Sequence, residues 1–468
     1  MSLNSTLSPT NAGHAEQKQK LPPATPAYIL RGHAAPIHAL YFYNDNSRLI
    51  SGDADGWVVV WSMATKRPVA SWKAHESAIL GVQGVDFEAG GGGEEGEKRI
   101  LTHGRDHSLR VWRLSIKDED IVDKTLPVDM QTSAKERNEP WLIHSLSVNA
   151  LNFCPFASCF LQSDKQNESE TSAPSEPGAP NSKPSPDSQM LLAVPNALNT
   201  GGIDIFHLPS ERRLSVISPD PAVNTGMVMA VQLVCSRDRD LFVVSGYEDG
   251  RAMAHVRRGP VGLTDMVQGE TPGEWTWERV YMNKPHSQPI LSLEVSPRRK
   301  DYFLTTSADA LIVKHPLPMT TADQGDASTS QSSPIKIVNT KHSGQQGLRI
   351  RSDEKIFVTA GWDFRTRVYS CKTMKELAVL KWHKEGCYTI ALADVNVKFG
   401  NDPIPGASTS VEIEGKSAEE SDTGSAVTVL PRGGSLAEIK LQRSRKAQLT
   451  HWVAAGSKDG KISLWDIY

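Results

Sequence analysis

The sequence predicts an all-β protein, a closed ring of seven four-stranded antiparallel blades. Three observations predict it: a short stretch that recurs along the 468 residues, strand-like runs around each copy, and two chain ends that complement each other. Self-similarity of this kind marks a repeat architecture. SGDADGWVVVW (Ser51 to Trp61), THGRDHSLRVW, SGYEDGRAMAH, TTSADALIVKH, TAGWDFRTRVY and AGSKDGKISLW share one spacing. In each, a small residue stands four positions before an aspartate, and an aromatic ring six positions after it. The aspartates are Asp55, Asp106, Asp249, Asp309, Asp363 and Asp459. Asp53 has no counterpart in the other five units, which removes the case for a paired-carboxylate site at Asp53 and Asp55.

A second signal precedes most copies. His33, His75, His286 and His383 each stand four residues before Ile37, Ile79, Ile290 or Cys387, opening runs such as IHALYFY and ILSLEV. β-branched, aromatic and alternating runs read as strands. His144 before Val148, and His342 before SGQQGLRI, fit more loosely. Each unit is then a histidine, two strands, an aspartate turn and a third strand ending at an aromatic. A fourth strand, such as PVASWKAH or ELAVLKWH, leads to the next histidine. Six units are visible, and the stretch from Trp112 to Ser245 is too long for one connection. NALNF (Asn149 to Phe153), MLLAV (Met190 to Val194) and GIDIFHL (Gly202 to Leu208) supply a seventh, with PNALNTGG as its lengthened second turn.

This grammar resembles the WD40 repeat, whose blades build a β-propeller. Only Trp465-Asp466 and Gly32-His33 keep the dipeptides of that repeat. The resemblance implies a structural network in which the turn aspartate accepts from the histidine, which also links to Ser/Thr and Trp. Carried over, it assigns His33, Ser51, Asp55 and Trp61 to the first unit and His75, Thr102, Asp106 and Trp112 to the second.

Seven blades at about 40 to 45 residues need roughly 300, so the remainder is tail and insertion. Residues 1–26 read as a disordered N-terminal tail ahead of a propeller over 27–468. Insertions are expected at GGGGEEGEK, at Lys117 to Pro140, near 161–189, at Gly259 to Glu274, at Met319 to Pro334 and near 400–446, the longest being of low complexity. Each falls between the first and second or the third and fourth strands of a blade. Those connections share one face, so the opposite face, with the Asp turns and histidine loops, is expected to stay uncluttered apart from PNALNTGG. The chain stops three residues past Trp465, and AYILRGH (Ala27 to His33) supplies the outer strand that the last blade lacks, closing the ring without an exposed edge.

Composition narrows the function. With 51 Lys plus Arg against 54 Asp plus Glu, no global field argues for nucleic acid, and direct nucleic-acid binding is not expected. Five cysteines without a C-x-x-C pair read as buried, reduced thiols in an intracellular protein rather than disulfides or a zinc site. No run of eighteen apolar residues and no apolar leader occur, so neither a membrane span nor secretion is expected. The N-x-S/T matches at Asn4 and Asn167 are read as coincidental. No H-E-x-x-H, complete phosphate loop or G-x-S-x-G appears; Gly415-Lys416-Ser417 lacks both the earlier glycine and a preceding strand. No enzyme, metal or cofactor is expected. Arg443-Ser444-Arg445-Lys446 and Arg298-Arg299-Lys300 read as solvated turns or as import or phosphate contacts.

A ring with one smooth face is a platform for protein partners. The residues just before the turn aspartates are Ala54, Arg105, Glu248, Ala308, Trp362 and Lys458. Arginine and exposed aromatics most often dominate interfaces, which makes Arg105 and Trp362 the candidate partner-binding residues. In the competing reading Trp362 folds onto Phe364 or a neighbouring blade and merely packs.

The stretch LRGHAAPIHALYFYNDNSRLISGDADGWVVVWSMATKRPVASWKAH, with ILTHGRDHSLRVWRL, VTAGWDFRTRVYSCKTMKELAVLKWH and AAGSKDGKISLWDIY, is similar to the fungal ASTRA-associated protein 1 family over about a quarter of the chain. The resemblance implies a nuclear WD-repeat subunit of the ASTRA assembly, with the cytoplasm as a second compartment. That assembly is linked to chromatin remodelling and, through kinase cochaperones, to maturation of phosphatidylinositol-3-kinase-related kinases. The alternative is a generic WD40 adaptor, such as a ubiquitin-ligase substrate receptor.

Overall fold

The strands bury both faces, because each blade lies between two others. RLISGD and WVVVWS expose almost nothing on either side, as expected of sheets packed face to face. The computed structural model describes residues 24–88, 96–130, 137–149, 153–161, 183–185, 188–236, 238–261, 275–319, 333–397 and 436–467.

After β1 (Tyr28–Arg31), blade 1 contains β2 (Ile37–Tyr43), β3 (Arg48–Asp53), β4 (Trp57–Ser62) and β5 (Pro68–Lys73). Blade 2 contains β6 (Ile79–Asp86), β7 (Lys98–Gly104), β8 (Ser108–Arg113) and β9 (Trp141–Ser147). Blade 3 contains β10 (Ala157–Phe160), β11 (Met190–Pro195), β12 (Ile203–Leu208) and β13 (Arg212–Ile217). Blade 4 contains β14 (Val228–Cys235), β15 (Leu241–Tyr247), β16 (Ala252–Arg257) and β17 (Glu278–Asn283). Blade 5 contains β18 (Ile290–Val295), β19 (Tyr302–Ser307), β20 (Leu311–Pro316) and β21 (Lys336–Asn339). Blade 6 contains β22 (Gln345–Ile350), β23 (Ile356–Gly361), β24 (Arg365–Ser370) and β25 (Glu376–Lys381). Blade 7 is completed by the chain start: β26 (Cys387–Leu392), β27 (Trp452–Ser457) and β28 (Lys461–Asp466) pair in order, and β1 is its outer strand.

The protein is therefore an all-β, seven-bladed propeller. Its core is a set of apolar clusters between adjacent blades. The cluster joining blades 7 and 1 contains Leu30, Ile37, Leu49, Trp61, Ala454, Ile462 and Leu464, so ring closure is hydrophobic as well as hydrogen-bonded. Gly56, at φ 87°, marks one tight approach: a Cβ there would overlap the His75 carbonyl oxygen.

Six of the seven innermost strands carry an irregularity at their second residue. Pairing skips His38, Leu80, Met229, Leu291, Gln346 and Tyr388 in blades 1, 2, 4, 5, 6 and 7. A bulge re-aims the skipped side chain, and His38, Leu80, Leu291, Gln346 and Tyr388 line the central channel.

Four sequence expectations need correction or fall elsewhere. The innermost strand of blade 3 is Ala157–Phe160, downstream of NALNF, whose residues 150–152 lie outside the described residues. Pairing there begins after Pro155, which lacks a donor. The segment from Lys117 to Pro140 does not stay on the insertion face. Its Asp123 carbonyl accepts from Ser71 N at the outer edge of blade 1, and Val128 N donates to Gly32 O beside His33. Val122 is buried between blades 1 and 2, and Leu126 packs on the closing cluster. These two side chains anchor a strap that climbs the rim to the Asp-turn face.

The end of the 400–446 insertion is also ordered. Helix α1 spans Leu436–Leu449, buries Ala447 and takes a hydrogen bond from Trp452 Nε1 on its Ala447 carbonyl. The basic run 443–446 is thus helical rather than a turn, whereas Arg298 and Arg299 donate backbone N–H groups to Glu354. The tail to residue 23, the 162–182 and 398–435 stretches, Asn4, Asn167 and Gly415-Lys416-Ser417 lie outside the described residues.

Candidate functional site

The histidine networks fix the turns that carry the Asp-turn face. In blade 2, His75 Nδ1 is 2.8 Å from Asp106, His75 Nε2 is 2.8 Å from Thr102 Oγ1, and Trp112 Nε1 donates to the same hydroxyl at 2.9 Å. A histidine on a hydroxyl is also the geometry of an activated nucleophile. Here His75 and Thr102 are fully buried, and the hydroxyl is already held by the indole. Burial lowers the His75 pKa more than Asp106 raises it, while His75 and the neighbouring donors lower Asp106 against the opposing effect of burial.

In blade 1 the structure corrects the sequence. His33 Nδ1 meets Asp53, not Asp55, at 2.7 Å, while His33 Nε2 and Trp61 Nε1 meet Ser51 Oγ at 2.7 and 2.8 Å. Asp53 is fully buried, its other oxygen accepting from Asp55 N and Trp57 N, and Asp55 is exposed at the turn tip. Asp53 closes β3 and points its carboxylate inward to the histidine, whereas Asp55 is two residues on, in the turn. Asp53→Asn should therefore cost roughly 1.5–3 kcal/mol, the scale of a hydrogen bond to a charged group, and Asp55→Asn should stay within about 0.5 kcal/mol of wild type. Urea unfolding of the two variants checks the order, and a reversed order would contradict it.

The remaining blades vary the theme. In blade 5, His286 meets Asp309 at 3.0 Å and Thr305 at 2.9 Å, and His315 replaces the indole. In blade 7, His383 meets Ser463 at 2.9 Å and stands 3.5 Å from Asp459. In blade 6 the buried Arg367 pairs with Asp363, and His342 is only 3.9 Å away at the surface. These carboxylates and histidines hold turns together. Among the described residues no group of three or more His, Cys, Asp or Glu is placed to hold a metal ion. No helix there is long and apolar enough to cross a membrane.

The Asp-turn face carries a second set of residues. The Arg105 guanidinium lies 4.6 Å from the ring centroid of Phe153, which is 59% exposed. Arg105 also acts on His38: burial chiefly, and then Arg105, lowers the His38 pKa against the pull of Asp53. The bulged His38 meets the bulged Tyr388 edge to face at 5.9 Å. Two residues before Tyr388, Gly386 packs on Trp362. Trp362 is 45% exposed and donates from Nε1 to the bulged Gln346 at 2.7 Å. Its ring lies over Gly344, at φ 71°, where a Cβ would overlap it. Phe364 is exposed to the same extent.

Phe153, Arg105, His38, Tyr388 and Trp362 thus form an arc around the channel mouth, from the connection entering blade 3 past blades 2, 1 and 7 to blade 6. The structure brings Arg105 and Trp362 onto that arc at opposite ends. Sequence reasoning missed His38, Tyr388 and Phe153. The first two could have been found as polar or aromatic residues interrupting innermost strands directly after the first residue. Trp362 packs and is exposed at once, resting on a glycine instead of on Phe364.

A family model described as ASTRA-associated protein 1 matches residues 26–465. The chain is 53% identical over 449 residues to ASTRA-associated protein 1 of Aspergillus niger, covering 96% of this chain and 98% of that one. The relative of the same name from Penicillium rubens is 53% identical over 452 residues, covering 95% and 98%. The one from Schizosaccharomyces pombe is 32% identical over 390 residues, covering 78% and 93%.

Proposed function

The chain belongs to the ASTRA-associated protein 1 family, and from that membership we propose that it is a non-enzymatic scaffold of the ASTRA assembly that holds a partner subunit on the arc. In this proposal, by family resemblance, the assembly works in the nucleus, in chromatin remodelling and, with cochaperones, in maturing phosphatidylinositol-3-kinase-related kinases. The observation that carries the docking role is the arc itself. Half-exposed aromatics fixed by a glycine contact, a hydrogen bond and a cation–π pair lose little entropy on binding, which is what interface anchors need. The absence of catalysis is supported by burial of the polar networks and by the thiols. Burial pushes Cys371 and Cys387 up to about 12, leaving no thiolate at neutral pH.

Arg105→Ala with Trp362→Ala should lower recovery of the assembly at least tenfold in an affinity pull-down, with the melting temperature near wild type. Recovery at the wild-type level by the folded double variant would move the docking site to the insertion face. Recovery of ubiquitin-ligase subunits in place of ASTRA subunits would replace the scaffold reading with the adaptor one.

A further inference from the structure

Beside the arc, at the outer corner of the closing blade, lies a cleft of about 450 Å³ lined by Arg31, Trp382, Lys384, Glu385, Asp459 and Lys461. Arg31 comes from β1 and pairs across the ladder with Lys461, at the start of β28. Residues 382–385 are the histidine loop entering β26. The cleft therefore exists only because the two chain ends close the ring.

Its charges are unequal in availability. Asp459 is committed: burial disfavours its ionisation, but the neighbouring His383 and Lys461 outweigh this and hold its pKa down to about 2. Lys461 Nζ is 3.4 Å from that carboxylate. The side chains of Arg31 and Lys384 are exposed, and no hydrogen bond or ion pair among the described residues engages either guanidinium or ammonium group. The exposed Lys458 stands on the same turn as Asp459, its N–H on the Gly386 carbonyl. Cations without counter-ions, crowded beside an indole, repel one another until an anion joins them. Trp382 supplies one wall.

We propose that this cleft binds the phosphate of a phosphorylated side chain on an extended segment of a partner protein. A phosphate is a compact dianion at neutral pH with three acceptor oxygens, suited to Arg and Lys donors from separate loops. The chain as a whole is at −3, and Glu385 stands in the cleft itself. A continuous polyanion such as DNA would meet repulsion all around the site, whereas one local dianion meets only Glu385, outnumbered there by Arg31 and Lys384. Gly386 follows the cleft-lining Glu385 and packs on Trp362, so a segment lying on the arc reaches the cleft within a few residues. The identity of the bearer as a partner segment rests on the arc reading; the anion preference rests on the cleft alone.

The test presents the full chain with a degenerate peptide pool bearing one phosphoserine or phosphothreonine, and with its unphosphorylated copy, and reads fluorescence anisotropy. The phosphorylated pool should bind at least tenfold tighter. Lys384→Glu and, separately, Arg31→Glu should erase that ratio while leaving the melting temperature unchanged; Lys384 lies on a loop, which protects the test from a folding defect in β1. Arg105→Ala with Trp362→Ala should weaken both pools alike and keep the ratio. If the double variant weakens neither pool while the ratio persists, the arc reading fails and the cleft stands. Equal binding of the two pools, a ratio that survives Lys384→Glu, or Lys384-dependent capture of duplex DNA or anionic vesicles without any peptide ratio would overturn the proposal.

Discussion

A chain lacking residues 1–31 should unfold at much lower urea concentration than one lacking residues 1–26. The shorter deletion keeps Ala27, whose N–H donates to Leu464 O at 2.7 Å, and all of β1. The longer one removes the outer strand of blade 7, paired from Tyr28↔Leu464 to Arg31↔Lys461, yet spares His33. It also removes Leu30, 1% exposed in the cluster joining blades 7 and 1. Burying such a side chain is worth about 1.5–3 kcal/mol, and each lost ladder hydrogen bond about 0.5–1.5 kcal/mol. The sum is on the order of 5 kcal/mol, a large share of the 5–15 kcal/mol that holds a typical native state. Leu30→Ala, which leaves the ladder intact, should cost about 2–5 kcal/mol by itself. Coincident urea midpoints for the two truncations would contradict hydrophobic ring closure.

Acidification should destabilise the protein well before its carboxylates titrate. Burial lowers the pKa of His103 to about 3 and of His255 to about 4, and that of His315 far below its ordinary value, with His75, His38 and His207 shifted the same way. The unfolded chain takes up these protons near pH 6.5 and the native state does not, so the unfolded state binds more protons and stability falls as pH falls. Each strongly shifted group contributes about 1.4 kcal/mol per pH unit below pH 6.5. Because the unfolded imidazole is only half protonated at pH 6.5, His103 and His255 together lose about 3 kcal/mol between pH 6.5 and 5, and His315 adds to the loss. Carboxylates lowered in the folded state, such as Asp106, Asp309 and Asp459, act in a separate window below about pH 4. Unfolding free energies at pH 7.5, 6 and 5 give the slope directly, and His103→Leu should flatten it by about one proton. A stability independent of pH from 6.5 to 5 would refute the neutral buried histidines.

The blade grammar was legible because the networks need particular residue types at fixed separations, and the closing strand because AYILRGH reads as a strand ahead of the first full unit. Other features were hidden for physical reasons. Asp53 and Asp55 differ only in depth, which the tightness of the blade 1 turn sets and the spacing does not. Arg367 stands in a strand where alternation expects an apolar residue, and its role depends on Asp363 accepting from within the same blade rather than from a histidine loop. The strap from Lys117 is anchored by two short apolar side chains, Val122 and Leu126, too few to make a periodic signal. Of the arc, Arg105 and Trp362 stood out because six blades offer an equivalent turn position for comparison. His38 and Tyr388 stood out less, since only their place as second residue of an innermost strand marks them, and that place does not show that a bulge turns them toward the channel.

Partners of this propeller are proposed to sit on the Asp-turn face, over the arc. Hydrogen–deuterium exchange of the isolated chain against the same chain in the purified assembly tests this placement most directly. Slowed exchange is predicted for amides around His38, Arg105, Phe153, Trp362 to Phe364 and Gly386 to Tyr388, with the connections on the opposite face unchanged. Protection confined to those opposite connections, with the arc exchanging as freely in the assembly as alone, would contradict the account.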